Sequence, residues 1–122
     1  MIKRLKRMMQ MRAADDKRRF ERIDLTAEAQ IVALLPSGRR AGVLRQLARG
    51  GFSMTPNAPY SKDNKVHEFI IHEPEEDIRV PIRARVRSVD QQLAGFEFVD
   101  LDADSAVDIG IIIGKYYEHN KG

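Results

Sequence analysis

The chain contains no cysteine and no tryptophan. Without cysteine there is no disulfide framework, no thiolate metal site and no cysteine nucleophile. The lack fits a reducing compartment, so the expected location is the cytoplasm. No apolar run approaches the roughly 20 residues that a membrane helix needs, so no membrane span is expected. Residues 1–11 are basic but lack the unbroken apolar stretch of a secretory signal. Aromatics make up only 7% of the residues, three Tyr and five Phe. Sheets that bind nucleic acid usually present aromatics for base stacking, so a nucleic-acid-binding barrel is the least expected function.

Catalytic constellations are missing too. His67, His72 and His119 are the only histidines. His67 and His72 lie five apart on an expected strand and face opposite sides, which is poor metal geometry. Surface histidines are the simpler expectation. Glu73, Glu75, Glu76 and Asp77 lack the ligand spacing of a calcium loop and read as a solvated hairpin turn. No serine sits in a nucleophile-elbow context. No phosphate-cradling glycine motif opens a helix, because Arg49-Gly50-Gly51 falls between strands. The expectation is a binding module, not an enzyme, with no catalytic residue, no metal and no cofactor.

What is present is a core and a charge asymmetry. The 122 residues, 43% of them hydrophobic, suffice for one domain. Residues 1–22 hold nine Lys/Arg against Asp15, Asp16 and Glu21, an excess of six positive charges in a chain whose net charge is +3. The rest is therefore mildly acidic. A basic arm of this kind favours an anionic partner. Residues 1–15 are expected to form that arm, flexible or helical, with Ile2, Leu5, Met8 and Met9 at helical spacing. Residues 16–122 are expected to form the domain.

Alternation places strands at 27–35, 41–47, 51–55, 66–72, 78–86 and 95–99. Pro36-Ser37-Gly38-Arg39 supplies turn chemistry. Gly50 and Gly51 permit a positive φ or a close backbone approach. In the fifth strand Ile78, Val80, Ile82, Ala84 and Val86 face one way. Arg79, Arg83, Arg85 and Arg87 face the other, and Pro81 among them hints at an edge or bulge. Phe69, Phe96 and Phe98 are assigned to the core. A C-terminal helix over about 101–119, capped by Asp102 or Asp104, carries an apolar stripe of Ile109, Ile112, Ile113 and Tyr116. Gly110 and Gly114 are expected to let it pack closely on a sheet. Short strands, frequent turns and one helix indicate a mainly β fold, a small antiparallel barrel or sandwich.

Where the basic arm meets the domain, residues 17–23 read Lys-Arg-Arg-Phe-Glu-Arg-Ile. Arg18 and Arg22 can converge on one anion, since guanidinium forks suit phosphate oxygens and guanine edges. This R-x-x-x-R pattern, followed by Gln46-Leu47-Ala48-Arg49-Gly50-Gly51 and by Gly95–Leu101 leading into the helix, resembles the PilZ domain family over roughly residues 16–118. The family pairs R-x-x-x-R with a later (D/N)-x-S-x-x-G. Gly51 matches the second half, while Gln46 stands where Asp or Asn is usual and Ala48 where Ser is usual.

The resemblance implies a six-stranded antiparallel β-barrel with a C-terminal helix, and a bacterial second messenger, cyclic di-GMP, as ligand. It implies Arg18 and Arg22 as ligand residues, Arg19 as a helper, and Gln46, Ala48 and Gly51 as the second half of the site. It also implies a stand-alone signalling module that acts on an unidentified effector protein, with the arm ordering as ligand binds. Losing one neutral hydrogen bond costs ~0.5–1.5 kcal/mol, so the changes at 46 and 48 weaken that half. Charge-assisted contacts are worth ~1.5–3 kcal/mol, which leaves the arginines as the main anchor. The alternative is a PilZ-like protein-interaction module without nucleotide binding, using the Arg79–Arg87 stripe or the helix.

Overall fold

The computed structural model describes residues 22–121. The expected arm, together with Arg18 and Arg19, lies outside them. Seven strands, all paired antiparallel, and one helix make up the rest. They are β1 (Arg22–Asp24), β2 (Val32–Leu34), β3 (Arg40–Ala48), β4 (Gly51–Pro56), β5 (Val66–Glu73), β6 (Ile78–Val89), β7 (Ala94–Phe98) and α1 (Ala103–Lys121).

Strands β3, β2, β5, β6, β7 and β4 pair in that order, and β4 returns to β3, so six strands close a barrel. Closure leaves no free sheet edge around the ring. The seventh strand, β1, was not legible as a strand. It lies on the same edge of β3 that β2 occupies further along, with Arg22 opposite Ala48 and Asp24 opposite Gln46.

The strand expected at 27–35 is broken. Ala27–Ala29 forms a 3-10 turn, which Gln30 ends in the left-handed region at φ 56°. The turn is an excursion from a continuous edge: the Leu25 amide donates to the Arg45 carbonyl and the Leu44 amide to the Ile31 carbonyl, both at 2.8 Å. It lets Leu25 and Ile31 both point inward, where they are buried. Simple alternation fails there because two inward residues are separated by a turn and not by a pleat.

The remaining strands agree with the alternation. Val80, Ile82, Ala84 and Val86 are buried, while Arg79, Arg83 and Arg87 are exposed. Pro81 sits where β6 overhangs, because β7 pairs only with Ala84–Val89. A proline lacking its amide hydrogen is tolerated at such a local edge. Inside the barrel Phe52 and Phe96 stack at 5.0 Å between centroids, and Phe69 meets both edge-on. Phe98 is half-buried against Phe52.

The α1 helix is capped by Asp102, whose Oδ1 accepts the Ser105 amide at 2.7 Å. Its buried stripe of Ile109, Ile112 and Ile113 joins the core, with Tyr116 packed against it. The glycines do not serve the expected sheet contact. Among the described residues, a methyl group on Gly110 would meet only the Arg49 guanidinium, and one on Gly114 would meet nothing.

The acidic turn is solvated at Glu75, Glu76 and Asp77, as expected, but not at Glu73. Glu73 is 0% exposed. Its carboxylate accepts the Glu75 amide at 2.8 Å, the Glu76 amide at 3.0 Å and the Tyr116 hydroxyl at 2.7 Å. Lys115 pairs with Glu73 at 3.2 Å, Glu75 at 2.8 Å and Glu76 at 3.1 Å. This network ties the helix to the β5–β6 hairpin. Alternation does put Glu73 on the inward face of β5, and two of its four donors, Lys115 and Tyr116, come from a helix distant in sequence.

The histidines are likewise not all at the surface. His67 points inward, with its ring 5.3 Å from Tyr60 and 6.0 Å from Phe69. On the opposite face of β5, His72 bonds Asp77 at 2.8 Å. The His119 side chain is outside the described part of the structure.

Candidate functional site

Strand β1 is too short to be stable alone, and β3 holds it in register. Its middle residue, Ile23, is buried, which turns Arg22 and Asp24 outward. The pairing lays Arg22 beside Ala48 and Asp24 beside Gln46. Residues about 25 apart in sequence thus become neighbours on one outer face.

On β3 the alternation is interrupted by a register shift against β4 between Leu44 and Gln46. The extra residue, Arg45, lets both it and Gln46 turn outward while Leu44 and Leu47 stay buried. The Gln46 amide is then held at both ends. Its Nε2 donates to Asp24 Oδ1 at 3.1 Å, and its Oε1 accepts from Ser53 Oγ at 3.2 Å. One side chain therefore connects β1, β3 and β4. Ala48 is half-buried and offers no polar atom.

Gly51 begins β4 after the two-residue Arg49-Gly50 turn and pairs with Glu97 of β7. A side chain there would overlap the Phe96 carbonyl oxygen. Gly51 is thus fixed by the close approach of β4 to β7, and positive φ is confined to Gly38 among the described glycines.

These residues line one open groove of about 410 Å³ on the outside of the barrel. Arg22, Gln46, Ala48 and Gly51 form one side, and Arg87, Ser88 and Glu97 form the other. Arg87 Nε lies 3.9 Å from Glu97 Oε1. Four of the six residues singled out from sequence therefore meet, and Arg18 and Arg19 lie outside the described residues. Asp24, Ser53, Arg87 and Glu97 were missed as site residues. Ser53 had a signal, being an outward position two residues after Gly51 on an alternating strand. Asp24 had none, because its place depends on β1.

The arrangement offers guanidinium groups, an amide and a hydroxyl around a backbone stripped of bulk by Gly51 and Gly95, which suits an anion with hydrogen-bonding edges. Among the described residues, no group of three or more His, Cys, Asp or Glu converges in metal-ligating geometry. No helix among them is long and apolar enough to cross a membrane.

Solved structures share the architecture. The Bacillus subtilis inhibitor of motility, MotI/DgrA, superposes with a TM-score of 0.65 at 16% identity over 84% of this chain. This chain spans about half of that protein, 51%. The PilZ domain of YcgR from Escherichia coli, solved with c-di-GMP, gives 0.65 at 11% identity, covering 82% of this chain and 91% of that one. The PilZ domain of CeSA from a cellulose-synthesizing bacterium gives 0.57 at 15% identity, covering 78% and 96%. At such identities the likeness is one of fold. No curated protein matches by sequence. The family model described as the PilZ domain, however, matches residues 16–113, from before the arginine pair into the apolar stripe of α1. With that match over most of its length, and with the closed barrel and its flanking helix, the chain belongs to the PilZ domain family.

Proposed function

We propose that this domain binds cyclic di-GMP in the groove joining Arg22 to Gln46, Ala48 and Gly51, and passes the ligand state to a protein partner. PilZ domains are a cyclic di-GMP receptor family of binding and signalling modules. One observation carries the reading for this chain: β1 pairs Arg22 with Ala48, so the two halves of the family's motif adjoin on one face. Arg18 and Arg19, between the basic arm and β1, supply the remaining guanidinium groups. Binding draws that arm, which carries most of the positive charge of the N-terminal segment, toward the groove, and the rearranged surface is what a partner reads.

The test is a calorimetric titration with cyclic di-GMP, followed by amide NMR. Saturable binding is expected, with shifts at Arg18–Arg22 and Arg45–Gly51. Arg22→Ala should weaken it roughly tenfold or more, the value of one charge-assisted contact. An absence of shifts at millimolar ligand would sink the proposal.

A second reading draws on Gln46 and Ala48. Both ends of the Gln46 amide are already bonded within the protein, and Ala48 has no hydroxyl. On that reading the domain is an interaction module that no longer takes nucleotide. Gln46→Asp with Ala48→Ser then creates binding that the native chain lacks. Binding by the native chain rejects it.

A further inference from the structure

We infer that Arg87, on the far wall of the groove, is a ligand-contacting residue that leaves Glu97 and joins Arg22 in holding the anionic ligand. This rests on the cyclic di-GMP reading above. Neither half of the family's motif includes a residue on β6, so Arg87 is a separate contribution of this chain.

Three observations place it there. The first is backbone geometry. The β6–β7 register shifts between Val86 and Ser88, so Arg87 is the extra residue of a bulge. Bulges increase local twist and re-aim a side chain, and they gather beside binding sites. This one sits on the rim of the groove opposite Arg22.

The second is the looseness of its present partner. The Arg87–Glu97 pair is 3.9 Å long, with the two side chains 68% and 44% exposed. Exposed pairs of that kind contribute little, so exchanging the carboxylate for a phosphodiester oxygen is easy. A guanidinium holds a phosphate with two parallel hydrogen bonds, a geometry absent from its contact with Glu97.

The third is the surplus of arginine at this end of β6. Arg79 has Asp77 at 3.1 Å and Arg83 has Asp100 at 3.5 Å. Of Arg85 and Arg87, only Arg87 lies within ion-pair distance of Glu97. Arg85 stands directly opposite Glu97 in the ladder, and its Nε has no hydrogen-bond partner among the described residues. When Arg87 turns to the ligand, Arg85 neutralises the carboxylate left behind. The charged donor from β6 offsets the hydroxyl that Ala48 lacks.

The experiment is calorimetry of the full chain with cyclic di-GMP, comparing native protein, Arg87→Gln, Glu97→Gln and the double variant. Glutamine keeps the aliphatic stem on the bulge, and matching thermal melts verify the fold. Arg87→Gln is expected to weaken binding roughly tenfold. If Arg87 served only to screen Glu97, removing both charges would restore the affinity of Glu97→Gln alone. The expected result is instead that the double variant stays roughly tenfold weaker than Glu97→Gln. Native affinity in Arg87→Gln, or full recovery in the double variant, overturns the inference and leaves the cyclic di-GMP reading standing. No binding by the native chain overturns both.

Discussion

A methyl group on Gly51 would overlap the Phe96 carbonyl oxygen and lie 3.0 Å from Glu97 Cα. Both obstacles are backbone of a paired strand, so neither can swing aside as a side-chain tip would. Gly51 and Glu97 are also register partners, which makes the contact part of the β4–β7 seam that helps close the barrel. Gly51→Ala is therefore expected to destabilise the domain by about 1–3 kcal/mol, the usual cost of overpacking. Urea unfolding would show it as a lower midpoint with an unchanged slope. Gly50→Ala is the matched control, since nothing lies near a methyl group there. Equal midpoints for the two variants would mean that β7 yields, and that the glycine is required by ligand alone.

At the scale of elements, the Glu73 network decides how α1 is held. Burial pushes the Glu73 carboxyl up, but the Glu76 amide, the Tyr116 hydroxyl, the Glu75 amide and Lys115 together hold it below the usual carboxylate range. A carboxyl lowered on folding contributes stability above its unfolded pKa of about 4.3, and that stability is lost as pH falls through the lower folded value. Tyr116 moves the other way. Burial, then its bond to Glu73, pushes it up to about 12. Its contribution is present below about pH 10 and lost as pH rises from there through the folded value. Glu73→Gln is expected to cost about 1.5–3 kcal/mol at neutral pH, as for hydrogen bonds to a charged group. Because that cost depends on an ionised Glu73, the gap between native and variant should narrow below about pH 4, in urea unfolding followed across pH. A gap that stays constant from pH 7 to pH 3 would show that the carboxylate charge is not what matters.

The elements differ in how much of them the sequence reveals. The β5, β6 and β7 strands and α1 follow simple periods, two or 3.6, and their boundaries fall within a few residues of those expected. Strand β1 and the 3-10 turn do not, because three residues carry no period and their pairing depends on the far end of β3. Gln46 is legible as a motif position, but its bonds to Asp24 and Ser53 are not, since one depends on β1 and both on the bulge at Arg45. Glu73 shows the same limit. Acidic residues around a turn suggest solvent, and only the path of α1 brings Lys115 and Tyr116 over them.

For the molecule as a whole, the ring closes without the help of β1, and β1 joins the groove to the basic N-terminal segment. The positive charge of the chain is concentrated in residues 1–22, and the remainder is net acidic. An anionic ligand thus meets a body of weakly negative net charge, with Arg22 and Arg87 as the cations that line the groove. Attraction of that local kind depends on ionic strength. The screening length falls from about 10 Å at 0.1 M salt to about 3 Å at 1 M. Cyclic di-GMP binding by the native chain is therefore expected to weaken several-fold over that range, by screening of charges beyond direct contact. Arg22→Ala and Arg87→Gln should each flatten the dependence, because each removes one of the cations responsible. Calorimetry at the two salt concentrations measures this directly. If affinity in the native chain does not change with salt, then the groove holds its ligand by short-range hydrogen bonds alone, and the asymmetry of charge along the chain plays no part in capture.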